Sequence, residues 1–218
     1  MDLCHSPLTL VSDADLASRE IRLRPTRTEV EAAIRTILAS TGEDPMREGL
    51  IDTPARVARA YDEWFGGYGV DPSTLLERVF TEADGYDETI LLRSIPLVST
   101  CEHHLAPILG VAHVGYRPDE RVVGISKLSR LVDAFARRLQ LQERLTNQIA
   151  HALDDALRPR GVAVVIEASH GCMSTRGVRQ HGSSMVTRCW LGEFRTDPEL
   201  RRDVMETVRD SRHEGLRS

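Results

Sequence analysis

An α+β fold is what this sequence predicts, and three features of its patterning carry the prediction. Apolar residues recur at helical spacing in two stretches before Gly66. From Thr89 the texture changes to short runs rich in β-branched residues. Two more helical stretches then separate the third and fourth of those runs. Strands in groups broken by a helical pair point to α+β and not to a strictly alternating parallel sheet.

Each element has its own signal. Residues 1–25 lack sustained periodicity and end at Pro25, so they read as a mobile tail or a partner-contacting arm. Thr26 to Glu29 fits a capping box, after which Val30, Ala33, Ile34, Ile37 and Leu38 follow one helical face until Gly42. Thr53-Pro54 starts a second helix, with Val57, Ala60, Tyr61, Trp64 and Phe65 as its inward stripe and Gly66-Gly67 as its stop. Strands are expected over Ile90–Ser99, Ile108–Tyr116 and Arg121–Ile125, with a turn at Arg117-Pro118-Asp119-Glu120. Ser126 reads as the N-cap of a helix carrying Leu128, Leu131, Val132, Phe135, Ala136 and Leu139. Gln142-Glu143 opens another, with Leu145, Ile149, Ala152, Leu153 and Ala156 inward. Strands follow at Val162–Ala168 and Ser184–Phe194, and Pro198 opens a terminal helix with Leu200, Val204 and Val208 on one side. The division this suggests is an arm over 1–25, a helical extension over 26–88 and an α+β domain over 89–218.

Composition narrows the function classes. The chain has 218 residues, enough for one large domain with an extension, and a formal charge of -5. That charge argues against nonspecific nucleic-acid binding, so an anionic ligand must be met by a local basic cluster. No run approaches a membrane span, and the first residues lack the basic flank and apolar core of a signal peptide, so no membrane and a cytoplasmic location are expected. In such a reducing compartment the four cysteines, Cys4, Cys101, Cys172 and Cys189, are poor candidates for disulfides. Cys4 reads as a tail residue and Cys189 as a core one.

The chemistry concentrates in Cys101-Glu102-His103-His104 and in His170-Gly171-Cys172. Cys101 and His104 stand three apart, a spacing at which a tight turn aims a thiolate and an imidazole at one Zn²⁺. Cys172, delivered by the apolar strand before it, is a third soft ligand. Three protein ligands are typical of a catalytic zinc with one open position, whereas structural sites hold four. A lone Cys-x-x-His is common by chance, and buried cysteines are more often small hydrophobes than ligands. The second cluster favours the metal. His103 and His170 flank the ligands and suit proton transfer.

Other positions keep two readings open. Lys127 is the sole lysine among 28 basic residues, by codon bias or because a compact ammonium is needed there. With Ser126 and Arg130 it marks a helix start suited to phosphate; the alternative is a capped helix with a charged face. Glu143 is either a first-turn acid or a carboxylate that accepts two parallel bonds from the N–H edge of a guanine. Arg56 and Arg59, three apart, are either a solvated face or an anion contact.

The words STCEHH at 99–104, GISKLSR at 124–130, RRLQLQERLT at 137–146 and His170-x-Cys172 running into Arg176-Gly177 stand in one order, and with them the chain resembles the GTP cyclohydrolase I family from about Glu29 to Arg195. The resemblance implies a tunnelling (T-fold) catalytic domain over 89–218. In such a fold pentamers close their sheets into a barrel, and two pentamers stack as a homodecamer with active sites between subunits. It implies GTP as substrate and Zn²⁺ on Cys101, His104 and Cys172, with His103, His170 and Ser126 moving protons. It also implies Gln142 and Glu143 at the purine end, and Lys127, Arg130 and Arg176 around ribose and triphosphate. Arg56 and Arg59 would reach a neighbour's triphosphate. Arg59 stands where some bacterial members have lysine, and Leu141 replaces a frequent valine. The rival readings are a related T-fold enzyme acting on another purine or pterin, and a noncatalytic zinc-stabilised assembly module.

Overall fold

A computed structural model describes residues 24–81 and 85–214, with side chains up to Arg209. The expected arm over 1–25, Cys4 included, lies almost wholly outside the described residues. Two compact units divide at Ala60 and Tyr61.

In the first unit, helix α1 (Arg27–Ser40) starts with the expected capping box: the Glu29 carboxylate accepts from the Thr26 N–H at 2.7 Å, and Thr26 Oγ1 accepts from the Glu29 N–H at 3.3 Å. Its apolar stripe is largely uncovered, since only Ile34 is buried and Ile37 is 63% exposed. Helix α2 (Thr53–Trp64) carries residues of both units, and its buried residues are Pro54 and Ala58. Trp64, expected inward, is 52% exposed. A 3₁₀ turn at Gly66–Gly69 follows.

The second unit is built on a five-stranded sheet in the order β5-β2-β3-β6-β7: β2 (Ile90–Cys101), β3 (Pro107–Arg117), β5 (Leu139–Gln140), β6 (Gly161–His170) and β7 (Met185–Gly192). All pairings are antiparallel except the two-residue one of β5 with β2. One face is covered by α4 (Ile125–Ala136) and α5 (Gln142–Leu157). Their Leu128, Leu131, Phe135, Leu145, Ile149 and Leu153 close a core with Leu97, Ile108, Val114, Val164 and Ile166. The opposite face is covered at one end by α8 (Pro198–Glu214), whose Val204 and Val208 pack with Ala163 and Phe194. Between β6 and α8, β7 is followed by the one-turn helix α7 (Glu193–Thr196). Strand β6 is therefore apolar at successive positions, because both of its faces are covered.

Strand β2 contains a bulge between Leu92 and Ile95, where Ser94 adopts φ 55° and its N–H donates to His113 Nδ1 at 3.3 Å. The extra residue shifts the alternation by one. Ile90 and Leu92 before it, and Ile95, Leu97 and Cys101 after it, consequently face the same core. That phase shift decides which way Cys101 points.

Three further expectations are corrected, the first being that Leu139, expected on the helix, lies in β5 past the helix end at Ala136. The run Arg121–Ile125 is a strand only at Val122–Val123 (β4), and β4 pairs with β1 (Val79–Phe80) instead of forming a hairpin with β3. Helix α4 takes Gly124 as its N-cap with no side-chain cap bond, so Ser126 lies inside its first turn. The chain enters α4 directly from β4, leaving Gly124 as the last extended residue, with φ -60° and ψ 134°. The one-turn helix α3 (Pro72–Leu75) and the strands β1 and β5 are too short to leave a periodic signal.

Candidate active site

Sheet register brings the two chemical clusters together. Thr100 faces Pro107 across the β2–β3 ladder, and Ile108 faces His170 across the β3–β6 ladder. Cys101 and His170, the last residues of their strands, thus emerge at the same end of the sheet. Past Cys101 the chain folds into a tight turn, with the Leu105 N–H donating to the Cys101 carbonyl at 2.9 Å and the Cys101 N–H to the Ala106 carbonyl at 2.8 Å. Past His170 it forms the single turn α6 (Gly171–Ser174), which carries Cys172. A Cβ on Gly171 would lie 3.0 Å from the Pro107 ring, so glycine lets that turn close against the start of β3.

The donor atoms of Cys101, His104 and Cys172 all lie within 4.8 Å of one another. Cys101 Sγ is 3.9 Å from His104 Nδ1 and 4.0 Å from Cys172 Sγ. A tetrahedral zinc with ordinary Zn–S and Zn–N bonds requires separations of about 3.6 and 3.8 Å, so this donor set fits the ion with only small closure. Burial first, and then the neighbouring Cys101 thiol, push the Cys172 thiol pKa up. That shift favours the protonated form of Cys172, and a bound metal ion would stabilise the thiolate instead.

His170 is half-buried, and its Nε2 lies 2.8 Å from Gln142 Oε1. Desolvation lowers its pKa, while the Glu143 carboxylate acts to raise it, so the imidazole is biased toward its neutral form. Glu143 itself is exposed in the first turn of α5. His103 is exposed beside His104, their rings edge to face at 6.2 Å. Arg176, exposed past α6, acts on the Cys172 thiol through its charge.

Ser126 and Lys127 stand in the first turn of α4, with Arg130 one turn on. Among the described residues, these three side chains make no hydrogen bond or ion pair with one another or with the metal donors. Arg56 and Arg59 are exposed in the first unit, where Arg56 pairs with Asp52 at 3.2 Å.

Sequence reasoning assigned no role to Glu102 or Arg144. The Arg144 guanidinium donates two bonds to the Glu102 carboxylate, at 2.7 and 3.0 Å, fastening the turn between Cys101 and His104 to α5. That contact holds the Glu102 carboxyl below its usual range. Both residues lie inside the CEHH and QERLT words, so motif membership was the available signal.

Fold and site together define an α+β class with three donors that could hold a metal ion, and the His170 imidazole, at one end of an antiparallel sheet. The model of the family GTP cyclohydrolase I matches residues 30–209. The GTP cyclohydrolase 1 of Maricaulis maris (strain MCS10) is 51% identical over 196 residues, covering 90% of this chain and 96% of that protein. Among solved structures, an archaeosine synthase QueF-Like in the apo form superposes with a TM-score of 0.40 at 19% identity, over 48% of this chain and 93% of that one. The chain belongs to the GTP cyclohydrolase I family and is an enzyme of that family. No helix among the described residues is long and apolar enough to cross a membrane.

Proposed function

We propose that this chain is a zinc-dependent hydrolase that opens GTP at C8, releases formate and rearranges the remainder to 7,8-dihydroneopterin triphosphate. The observation that carries the reading is the convergence of Cys101, His104 and Cys172 within 4.8 Å, in a chain half identical to a GTP cyclohydrolase 1. Zinc bound by these donors supplies Lewis acidity and makes water acidic enough to act as nucleophile near neutral pH.

The remaining work falls to side chains. His170, biased neutral by its burial, exchanges a proton with purine N7, which makes C8 electrophilic. His103, exposed in the turn that carries Cys101 and His104, handles the protons of C–N cleavage, and Ser126 relays protons as the ribose opens and recloses. Glu143 holds the guanine edge, with Gln142 at the same end. Lys127, Arg130 and Arg176 fix the ribose and triphosphate, and orientation of this kind is what a multistep rearrangement needs. Arg56 and Arg59 serve a neighbouring subunit's triphosphate in a homodecamer of two pentamers whose sheets close into a barrel. In this reading 1–25 is an arm, 26–88 a helical extension and 89–218 the catalytic domain. The enzyme acts in the cytoplasm at the first step of tetrahydrofolate or tetrahydrobiopterin synthesis.

The test is incubation of the purified protein with GTP, following formate and the fluorescence of oxidised pterin, with and without chelator. Formate plus pterin, lost with chelator and restored by zinc, is the expected result. Formate without pterin limits the reaction to ring opening. No reaction from a folded, zinc-loaded protein overturns the reading.

A further inference from the structure

Gln142 is 1% exposed, and its side chain is the hub of a buried network whose directions are all forced. Its Nε2 lies 3.2 Å from the Ile166 carbonyl, 2.9 Å from the Met185 carbonyl and 3.1 Å from Thr187 Oγ1. Backbone carbonyls only accept, so this end of the amide must be the nitrogen; the flipped amide would set oxygen against two oxygens. The hydroxyls agree. Thr146 Oγ1 lies 2.7 Å from the Gln142 carbonyl and gives it its single hydrogen, so Thr187 donates to Thr146 across 2.7 Å and is left to accept from Gln142. With both amide hydrogens committed, Gln142 Oε1 faces His170 Nε2 at 2.8 Å as an acceptor only. The imidazole must then carry its hydrogen on Nε2, and Nδ1 keeps the lone pair. No hydrogen bond to Nδ1 is formed by the described residues.

We propose that Gln142 is a positioning residue that locks His170 in the Nε2–H tautomer, making Nδ1 the atom that exchanges the proton with substrate. The proposal rests on the reading of His170 as a proton carrier in GTP opening, and it moves the Gln142 side chain from the purine to the histidine. The lock is built on register: Ile166 belongs to β6 and Met185 and Thr187 to β7, so the pairing of those strands sets the amide, and the amide sets the ring. A tautomer fixed by an outer partner is a recurrent device for aiming imidazoles, worth about a hundredfold or more in turnover.

Nitrogen NMR of the zinc-loaded full chain with ¹⁵N-labelled histidine, at about pH 8 where imidazoles are neutral, reads the tautomer directly. His170 is assigned by difference from His170→Asn. Protonated Nε2 and bare Nδ1 are expected, and a His170 carrying its hydrogen on Nδ1 overturns the proposal without any variant of Gln142. Gln142→Met should then spread His170 over both tautomers and lower kcat about a hundredfold, with zinc content and the KM for GTP within twofold. A KM raised tenfold with kcat and tautomer kept would make Gln142 a substrate contact and overturn the proposal. A wild-type protein that does not open GTP defeats the functional reading instead, while the nitrogen spectrum still decides what Gln142 does to His170.

Discussion

In the proposed function, single side chains separate metal binding from proton transfer. Cys172 supplies a donor atom 4.0 Å from that of Cys101, whereas His170 Nε2 lies 2.8 Å from Gln142 Oε1. Replacing His170 by Asn should therefore leave the zinc content near that of the wild type and lower turnover by at least about a hundredfold. Cys172→Ser should lose both, as metal analysis beside the formate assay will show; a zinc-replete Cys172→Ser protein would remove this cysteine from the ligand set. The convergence of Cys101, His104 and Cys172 was legible because thiol and imidazole are chemically marked and closely spaced. The partners of Gln142 were not legible, since Ile166 and Met185 contribute backbone carbonyls that any residue would offer. Cys189, read from the sequence as a core residue, is one, and burial pushes its thiol up to about 11 from an ordinary 9.0. The unfolded chain ionises it first, so its contribution to stability is intact below about pH 9 and is lost as pH rises toward 11. Denaturant melts across that window should show a fall, on the order of 2 kcal/mol steeper in the wild type than in Cys189→Ala.

Elements place these side chains by contacts that pattern alone does not reveal. Helices and long strands stood within a few residues of their expected bounds because apolar period reports them, but the two-residue β1 and β5 and the bulge in β2 carry no period. Without that bulge the alternation of Ile90 and Leu92 would turn Cys101 away from the core. Gly67 is a second such contact: a Cβ there would collide with the Ala134 carbonyl, where the 3₁₀ turn meets the end of α4. The Glu102–Arg144 bridge acts on the turn between Cys101 and His104 itself. Both side chains are partly solvated, with 27% and 42% exposure, so its effect on global stability is small, at most about 1 kcal/mol. Its effect on zinc should be larger, because groups that hold a ligand-bearing turn set how much ordering the ion must impose. Arg144→Ala should weaken zinc about tenfold in a competition titration while the melting temperature moves little. A melting temperature that collapses together with zinc affinity would make the bridge a fold contact instead.

The anion contacts of the proposed function fall in both compact units of the chain. Cys101, His104, Cys172 and His170 converge at one end of the sheet, whereas Arg56 and Arg59 are exposed in the other compact unit. Apolar side chains are also left uncovered, among them Val98 at 60% and Leu109 at 49% on the sheet and Trp64 at 52% on α2. Exposure of that kind is what subunit contacts cover. If each site combines one subunit's metal and histidines with a neighbour's arginines, two inactive variants must be able to repair each other. Cys172→Ser keeps good arginines and loses the metal, while the double change Arg56→Ala, Arg59→Ala keeps a good metal centre and loses the triphosphate contact. Mixed one to one and reassembled, a random oligomer places an intact metal centre beside an intact arginine pair in about one quarter of its sites. GTP turnover near that fraction of the wild-type rate is the expected outcome, with each variant alone close to zero. If mixing restores nothing although native mass spectrometry shows hybrid oligomers, Arg56 and Arg59 act on their own subunit's site or on none, and the shared-site arrangement is wrong.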